Sequence, residues 1–319
     1  MGEEVFFDRM VPDEVVRRRE ACPVAYLPVG ALEWHGAHLP FGTDCFTAKH
    51  VAERAAREIG GVAFPVLCYG DVRYRTHDSC QEWRGEYTRE MRIPEAIASN
   101  FPAQIRADGE GHESPMAPDE EKVADPLPFS IEEQRTFFAN LIAYTLIEIY
   151  SYGFRIIVLL PGHGPNIRAC LKAEEIYAEN TRRRASLRPP AATKTFAYFQ
   201  DAKGIEPFLR EHWVHADKME TSLVRAIAPE TVHLDKLPKD PKAIPPAYLG
   251  FPYIDPIKGY NEKYREIWSS FDALDPRRSD LNCAEKLLQY FLERLKEEVN
   301  MLLNKSAHVS HKPKEHLPR

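Results

Sequence analysis

The chain has 319 residues, with 42 basic and 48 acidic side chains and a formal net charge of −6. This balance lacks the basic excess of a nucleic-acid binder, and no run of about 18 apolar residues predicts a membrane span. Residues 1–20 lack the apolar stretch of a signal peptide, so we expect a cytoplasmic protein with neither nucleic acid nor a membrane as its partner. Six scattered cysteines without a C-x-x-C pair predict free thiols.

Short apolar runs alternate along the chain with amphipathic segments. The runs predict buried strands over 23–29, 62–68, 155–160 and 194–199. The amphipathic segments predict helices from 43 or 44 to the Gly60-Gly61 pair, and over 130–152, 165–179, 221–227 and 280–304. Such alternation favours an α/β protein in three layers, α/β/α, in which helices cover a central, mostly parallel sheet.

The remaining stretches fit one domain with an insertion. Residues 71–128 are polar and rich in proline, which is typical of an inserted lid or loop region. We therefore expect a single domain over residues 1–304. The tail, residues 305–319, is expected to be disordered.

Potential metal ligands follow the first predicted strand. Glu33 and His35 are two residues apart, a spacing that points both side chains to one side of an extended segment. Asp44 comes next, after Pro40 and Gly42 turn the chain. Carboxylate oxygens and imidazole nitrogens suit Zn²⁺ or Mn²⁺, and the two oxygens of Asp44 could bridge two ions. The alternative interpretation is a polar loop with a helix-capping aspartate.

Two later segments carry further candidates. His163 follows the strand predicted over 155–160 and lies between glycines, which let a backbone approach closely; alternatively, it only bonds backbone in a capping loop. Glu220 opens a helix and could be a carboxylate ligand, or merely a charge that the helix dipole favours. His215 is a candidate general acid or base, because imidazole titrates near neutrality. Parallel sheets place their sites beyond the carboxyl ends of strands, where two of these segments start.

Three segments resemble those of the creatininase (creatinine amidohydrolase) family, and they occur in the family's order. Residues 27–44 closely resemble the pattern LPxGSxEQHGPHLPLGTD. Residues 153–166 are similar to GFRxIxxxNGHGGN, and residues 215–222 are similar to HAGEFETS. Together they span most of a creatininase-like core, from about residue 20 to residue 230.

The resemblance implies an α/β fold with a divalent metal centre of Zn²⁺, Mn²⁺ or Fe²⁺, often of two ions. It also implies a small-molecule substrate, His215 near the chemistry, and a homo-oligomer, which in this family is often a hexamer. The positions that match the family's metal ligands are Glu33, His35, Asp44, His163 and Glu220.

The chain also departs from the family pattern. Pro161 stands in place of an asparagine, Pro165 in place of a glycine, and residues 217–218 in place of a Gly-Glu pair. These departures bear on whether creatinine itself is the substrate. Polar and aromatic side chains in the lid and near His215 are candidates for substrate binding, namely Arg75, His77, Glu82, Trp83 and Trp213.

Three functions are compatible with these segments. The first is metal-assisted hydrolysis of a small polar cyclic substrate, in which activated water attacks a carbonyl and cleaves a cyclic amide or another C–N bond. The second is a carbon–carbon hydrolase that opens a cyclic diketone from inositol catabolism, of the 3-dehydro-scyllo-inosose type. The third is a non-catalytic module on the same fold that binds a metal or another ligand.

Overall fold

The computed structural model describes residues 3–33, 35–36, 38–70, 131–182, 189–198, 216–237 and 275–309. The strands in these ranges are β1 (Val24–Val29), β2 (Val62–Ala63), β3 (Ile156–Pro161) and β4 (Ala192–Thr195). The α-helices are α1 (Pro12–Ala21), α2 (Thr43–Glu58), α3 (Ile131–Ser151), α4 (Asn166–Arg182), α5 (Lys218–Ile227) and α6 (Leu281–Val309). Short 3₁₀ turns cover Phe7–Arg9, Pro229–Thr231, Leu234–Lys236 and Pro276–Arg278.

The four strands form a parallel sheet in the order β2-β1-β3-β4. The two central strands, β1 and β3, pair along their whole length, from Val24 opposite Ile156 to Val29 opposite Pro161. Every residue of both strands is buried. Strands covered on both faces read as continuous apolar runs, which is why these two were predictable from the sequence.

Helices cover both faces of the sheet. Because side chains alternate across a strand, Tyr26 and Val158 face one core with α2, α5 and α6, whereas Leu27 and Leu159 face a second core with α3 and α4. The predicted three-layer α/β fold with a parallel sheet is therefore confirmed. Within the described residues, no helix is both long enough and apolar enough to cross a membrane.

Three element boundaries differ from the prediction. The ladder of β2 ends at Ala63, because Pro65 lacks a backbone donor, and the chain meets β1 again only at Leu67. β4 pairs over 192–195 rather than 194–199; the apolar residues 196–198 that follow are buried beyond the end of the ladder. α6 continues to Val309, beyond the helix end predicted at residue 304, since no glycine or proline stops the helix there.

Several predictions concern residues outside the described ranges. These include the lid over 71–128 and the tail beyond residue 309. Among the described cysteines, Cys22, Cys45, Cys68, Cys170 and Cys283 are free thiols.

The apolar side chains of the central strand β3 are buried on both faces of the sheet, so truncating one of them is expected to destabilise the protein. We expect Leu159→Ala, at a position with no exposed surface, to lower the free energy of unfolding by about 2–5 kcal/mol. The matched Leu171→Ala, on α4 and 51% exposed, should lower it by less than about 0.5 kcal/mol. Urea denaturation followed by circular dichroism measures both. Equal losses would contradict the packing described here.

Candidate metal centre

The segments that follow β1 and β3 converge at one edge of the sheet. Because the two strands are parallel neighbours, their carboxyl ends at Val29 and Pro161 lie side by side. Residues 30–44 continue from the first strand and residues 162–166 from the second. Their polar side chains therefore meet beyond the carboxyl edge, where α/β sheets place their sites.

Close backbone contacts hold the two segments together. The Gly162 N–H donates to the carbonyl oxygen of Val29 at 2.8 Å. A Cβ atom on Gly162 would lie 2.3 Å from the carbonyl oxygen of Asp44, so only glycine lets this turn approach α2 so closely. Buried Asn166 donates through Nδ2 to the carbonyl oxygen of Gly30 at 2.9 Å.

Asp44 lies between two imidazole rings. Its Oδ1 atom is 3.2 Å from Nε2 of His35, and its Oδ2 atom is 3.2 Å from Nδ1 of His163. The carboxylate thus presents a different oxygen to each ring. All three side chains are buried, with at most 3% of each residue exposed.

Two glutamates complete the cluster. Oε2 of Glu33 is 3.0 Å from Nδ1 of His163, and Oε2 of Glu220 is 3.8 Å from Nε2 of His35. Glu33 is buried, and the Glu220 side chain is 15% exposed. The donor atoms form two subsets that share Asp44, one with His163 and Glu33 and the other with His35 and Glu220.

The ring orientation of His35 is set by the backbone. Its Nδ1 atom is 3.0 Å from the carbonyl oxygen of Glu33, to which Nδ1–H donates. Nε2 is thereby directed at the carboxylates of Asp44 and Glu220. Metal-binding histidines usually donate their second ring N–H in this way, which fixes both the tautomer and the ring orientation.

The start of α5 positions Glu220. The buried carboxylate of Asp217 caps the helix by accepting from the N–H groups of Met219 and Glu220, at 2.8 and 3.0 Å. Ala216 has a positive φ of 55°, a conformation that is costly for alanine, and its N–H donates to Oε2 of Glu220. Ala216 thus contacts the Glu220 carboxylate from a strained backbone conformation.

A buried hydrogen bond links the first segment to the same helix. Nε2 of His38 is 3.0 Å from Oγ1 of Thr221, and both residues are completely buried. The carbonyl oxygen of His38 also accepts from the N–H of His233 at 2.8 Å. Burial lowers the pKa of His38 to about 3, so its imidazole is neutral. The contact fixes Thr221, the residue after Glu220, against the loop that carries His35.

The pKa shifts indicate that the cluster of carboxylates and imidazoles favours a positive charge. Burial alone lowers the pKa of both buried rings, but the neighbouring carboxylates outweigh it and raise the pKa of His35 to about 9 and of His163 to about 10. Burial raises the pKa of Glu220 to about 7, and Asp217 and Asp44 push it in the same direction. For Asp44, the two imidazoles outweigh burial and lower the pKa.

The donor set fits a divalent cation. One ligand atom from each of Glu33, His35 and Asp44 lies within 4.8 Å of the others. Two ligands at about 2.1 Å from a tetrahedral Zn²⁺ would be about 3.4 Å apart, close to the 3.2 Å that separates Asp44 from each ring. Without a cation, protons on the two imidazole rings balance the charge of the carboxylates. A bound cation would replace those protons, because the ligands of a metal must be deprotonated.

The structure also tests the simpler interpretations of these residues. Gly42 is the N-cap residue of α2, and no side chain caps that helix, so Asp44 is not a capping residue. The ring of His163 faces carboxylates and does not merely bond backbone. Glu220 does lie in the first turn of α5, but its carboxylate also points to His35.

Other predicted site residues lie outside the described ranges. They are His215 and the five substrate-binding candidates Arg75, His77, Glu82, Trp83 and Trp213. Conversely, sequence reasoning assigned no role to Asn166, Asp217 or His38. An aspartate just before an amphipathic helix could have identified the cap, but no sequence signal indicates the long-range partners of the other two.

Fold and site together define a three-layer α/β protein with a candidate metal centre at the carboxyl edge of its sheet. The chain belongs to the creatininase family, whose sequence model, described as creatinine amidohydrolase, matches residues 8–85 and 91–299. This match confirms the resemblance seen in the three sequence segments.

Two characterised relatives are similar in sequence. The creatinine amidohydrolase of Pseudomonas putida is 25% identical over 266 residues, which are 81% of this chain and 85% of that protein. A 3-dehydro-scyllo-inosose hydrolase of Thermotoga maritima is 32% identical over 66 residues, 21% of this chain and 21% of that protein. The second similarity is therefore confined to a short segment.

Solved creatininases share the fold. A mutant creatininase complexed with creatine aligns with a TM-score of 0.60 and 21% identity, covering 94% of this chain and 98% of that chain. A creatininase described with Mn aligns at 0.56 and 19% identity, and a mutant of Zn-Zn type at 0.54 and 18%; each covers 94% of this chain and 98% of its own.

The capping role of Asp217 has a measurable consequence. Asp217→Ala leaves two N–H groups in the first turn of α5 without their acceptor and should lower the free energy of unfolding by about 0.5–2 kcal/mol. Asp217→Asn keeps a capping oxygen and should retain most of the stability. Asp235→Ala, at an exposed position, is the matched control. Urea denaturation that shows equal losses for Asp217→Ala and Asp235→Ala would contradict the role of the cap.

Proposed function

We propose that this protein is a metal-dependent hydrolase that cleaves a C–N amide bond of a small, polar, cyclic substrate. The observation that carries the proposal is the convergence of two glutamates and two imidazoles around the carboxylate of Asp44, at the carboxyl edge of a creatininase-family sheet. Family membership and the similarity to a creatinine amidohydrolase over most of both chains support the type of reaction.

The proposed metal ligands form two sets with one shared member. Glu33, Asp44 and His163 would hold one cation, and His35, Asp44 and Glu220 a second. The different oxygens that Asp44 directs at the two rings support two ions. Mixed oxygen and nitrogen donors favour Zn²⁺ or Mn²⁺, with Fe²⁺ as a further candidate, and related structures are described with Mn and with Zn.

A divalent cation held by Glu33, His35, Asp44, His163 and Glu220 would supply Lewis acidity for activating water and polarising a carbonyl. The protein's own residues hold the site in place. The Glu33 carbonyl orients the ring of His35, and Asp217 and Ala216 fix the carboxylate of Glu220. We assign proton transfer to the leaving nitrogen to His215, which directly precedes Ala216 in the chain.

If the cluster holds metal, removing one ring must change the metal content. We expect His35→Ala to lose at least one equivalent of metal per chain, measured by elemental analysis after purification in Zn²⁺ or Mn²⁺. His50→Ala is the control, because it removes a partly buried imidazole from α2 without altering the cluster. Unchanged stoichiometry in His35→Ala would refute its assignment as a ligand.

The assignment of His215 predicts a different result. His215→Ala should keep its full metal content but slow turnover by roughly 10²–10⁴-fold, as is typical when a general acid or base is lost. His212→Ala, in the same segment, should retain the rate and serves as the control. Loss of metal from His215→Ala would instead identify a ligand.

A substrate panel tests the reaction itself. The metal-loaded protein is assayed with creatinine, other lactams, formamides and a cyclic diketone of the 3-dehydro-scyllo-inosose type. Turnover of an amide supports the proposal. Turnover of the diketone alone would favour the carbon–carbon hydrolase, for which the short Thermotoga maritima similarity is the specific observation. Metal binding without turnover would favour a binding module. The substrate-binding residues, the homo-oligomer or hexamer and the cytoplasmic location stay predictions.

A further inference from the structure

Two contacts join the loop after β1 to the first turn of α5. In the first, Nε2 of His35 lies 3.8 Å from Oε2 of Glu220, and both residues are metal-ligand candidates. The second is the hydrogen bond of 3.0 Å between Nε2 of His38 and Oγ1 of Thr221. His38 follows His35 by three residues, and Thr221 directly follows Glu220. The loop therefore contacts, through His38, the same helix turn that presents a carboxylate to His35.

The contact between His35 and Glu220 does not by itself fix the distance between these two side chains. Its 3.8 Å is longer than a hydrogen bond and longer than the 3.2 Å between His35 and Asp44. The hydrogen bonds that Glu220 makes with Ala216 and Asp217 lie within one short segment of chain. They orient Glu220 within that segment, but they do not fix the position of the segment against the loop.

The hydrogen bond between His38 and Thr221 is suited to fix that position. Neither residue has any exposed surface, so water does not compete for the bond. Breaking it would leave polar atoms in the interior without partners, which is costly. Burial lowers the pKa of His38 to about 3, so the ring is neutral and the bond does not change near neutral pH.

The other ring nitrogen of His38 shows that packing alone does not explain a histidine at this position. Within the part of the chain that the structure describes, Nδ1 of His38 has no hydrogen-bond partner. Burying such an atom costs free energy, and an apolar side chain would fill the same space without that cost. The contribution of the imidazole to this region is therefore its directed bond to Thr221.

Apolar contacts between the same two segments are the alternative explanation for the position of α5. Leu39 packs with Ala216 and Val224 in a small buried cluster. Such contacts hold the helix against the loop but are not directional, whereas a hydrogen bond has a narrow range of distances and angles. A test must therefore remove the hydrogen bond and keep the packing.

We propose that His38 is a positioning residue of the metal centre, which sets the position of the Glu220 carboxylate through its hydrogen bond to Thr221. This role rests on the proposed metal centre and concerns the cation that His35, Asp44 and Glu220 would share. Replacing residues that hold metal ligands in place typically lowers metal affinity by about 10–100-fold. His38 acts through the neighbour of a ligand, so we expect an effect of about ten-fold, the lower end of that range.

Zinc affinity tests this role in the full-length protein. Metal-free protein is titrated with Zn²⁺ in competition with a chromophoric chelator, and the affinity of each binding step is measured. Glu220→Gln identifies the step to which Glu220 contributes, because it removes the charge of the carboxylate and keeps its shape. Thr221→Val, which removes the hydroxyl and keeps the size of the side chain, should weaken that same step by about ten-fold.

Conservative variants separate the hydrogen bond from the packing. Thr221→Ser keeps the hydroxyl and should restore the affinity. His38→Gln can place an amide atom where Nε2 lies and should retain most of the affinity. His38→Asn reaches only the position of Nδ1 and should behave like Thr221→Val. Thr145→Val is the matched control, because it removes a hydroxyl that bonds within α3 and should leave every step unchanged.

Three outcomes would overturn the role of His38 in a protein that binds zinc. One is unchanged zinc affinity in Thr221→Val, with its fold verified by urea denaturation, since packing would then suffice. The second is weakening of a step to which Glu220 does not contribute. The third is equal affinity in His38→Gln and His38→Asn, which decides the question even if Thr221→Val does not fold. Wild-type protein that binds no zinc would instead refute the proposed metal centre itself, so the two failures are distinguishable.

Discussion

The buried carboxylate of Asp44 is the constraint on which the rest of the site depends. A buried charge is costly unless it is paired, and here each carboxylate oxygen meets a different imidazole at 3.2 Å. To make both contacts, the loop after β1 and the turn after β3 must approach the start of α2 closely. Gly162 permits that approach, and the N–H of Gly162 and the amide of Asn166 hold it together.

The surrounding structure supports this arrangement at a cost to local stability. Three carboxylates and two imidazoles crowd one buried region, and Ala216 adopts a left-handed backbone conformation beside Glu220. The cap at Asp217 and the bond between His38 and Thr221 hold the start of α5 against this repulsion. Such concentrations of strain and perturbed pKa values are typical of functional sites.

Sequence patterns predicted the elements whose side chains are buried on a regular period. β1 and β3 were recognisable because both faces are covered, and Gly60-Gly61 ends α2 with positive φ angles as expected. β4 was predicted too far along the chain because Phe196 and Tyr198 are buried apolar residues that follow the ladder, which ends at Thr195. The bond between His38 and Thr221 joins residues 183 positions apart, and no local pattern encodes such a partner.

The sequence by itself determined the α/β class, the family and the types of side chain available at the carboxyl ends of the strands, because period, turn residues and motif order are local properties. The tertiary structure alone decided which oxygen of Asp44 faces which ring and how Glu220 reaches His35. These features depend on the pairing of β1 with β3 and on helix packing. Both bring together residues that are far apart in the chain, and a local sequence pattern does not indicate which distant residues will meet.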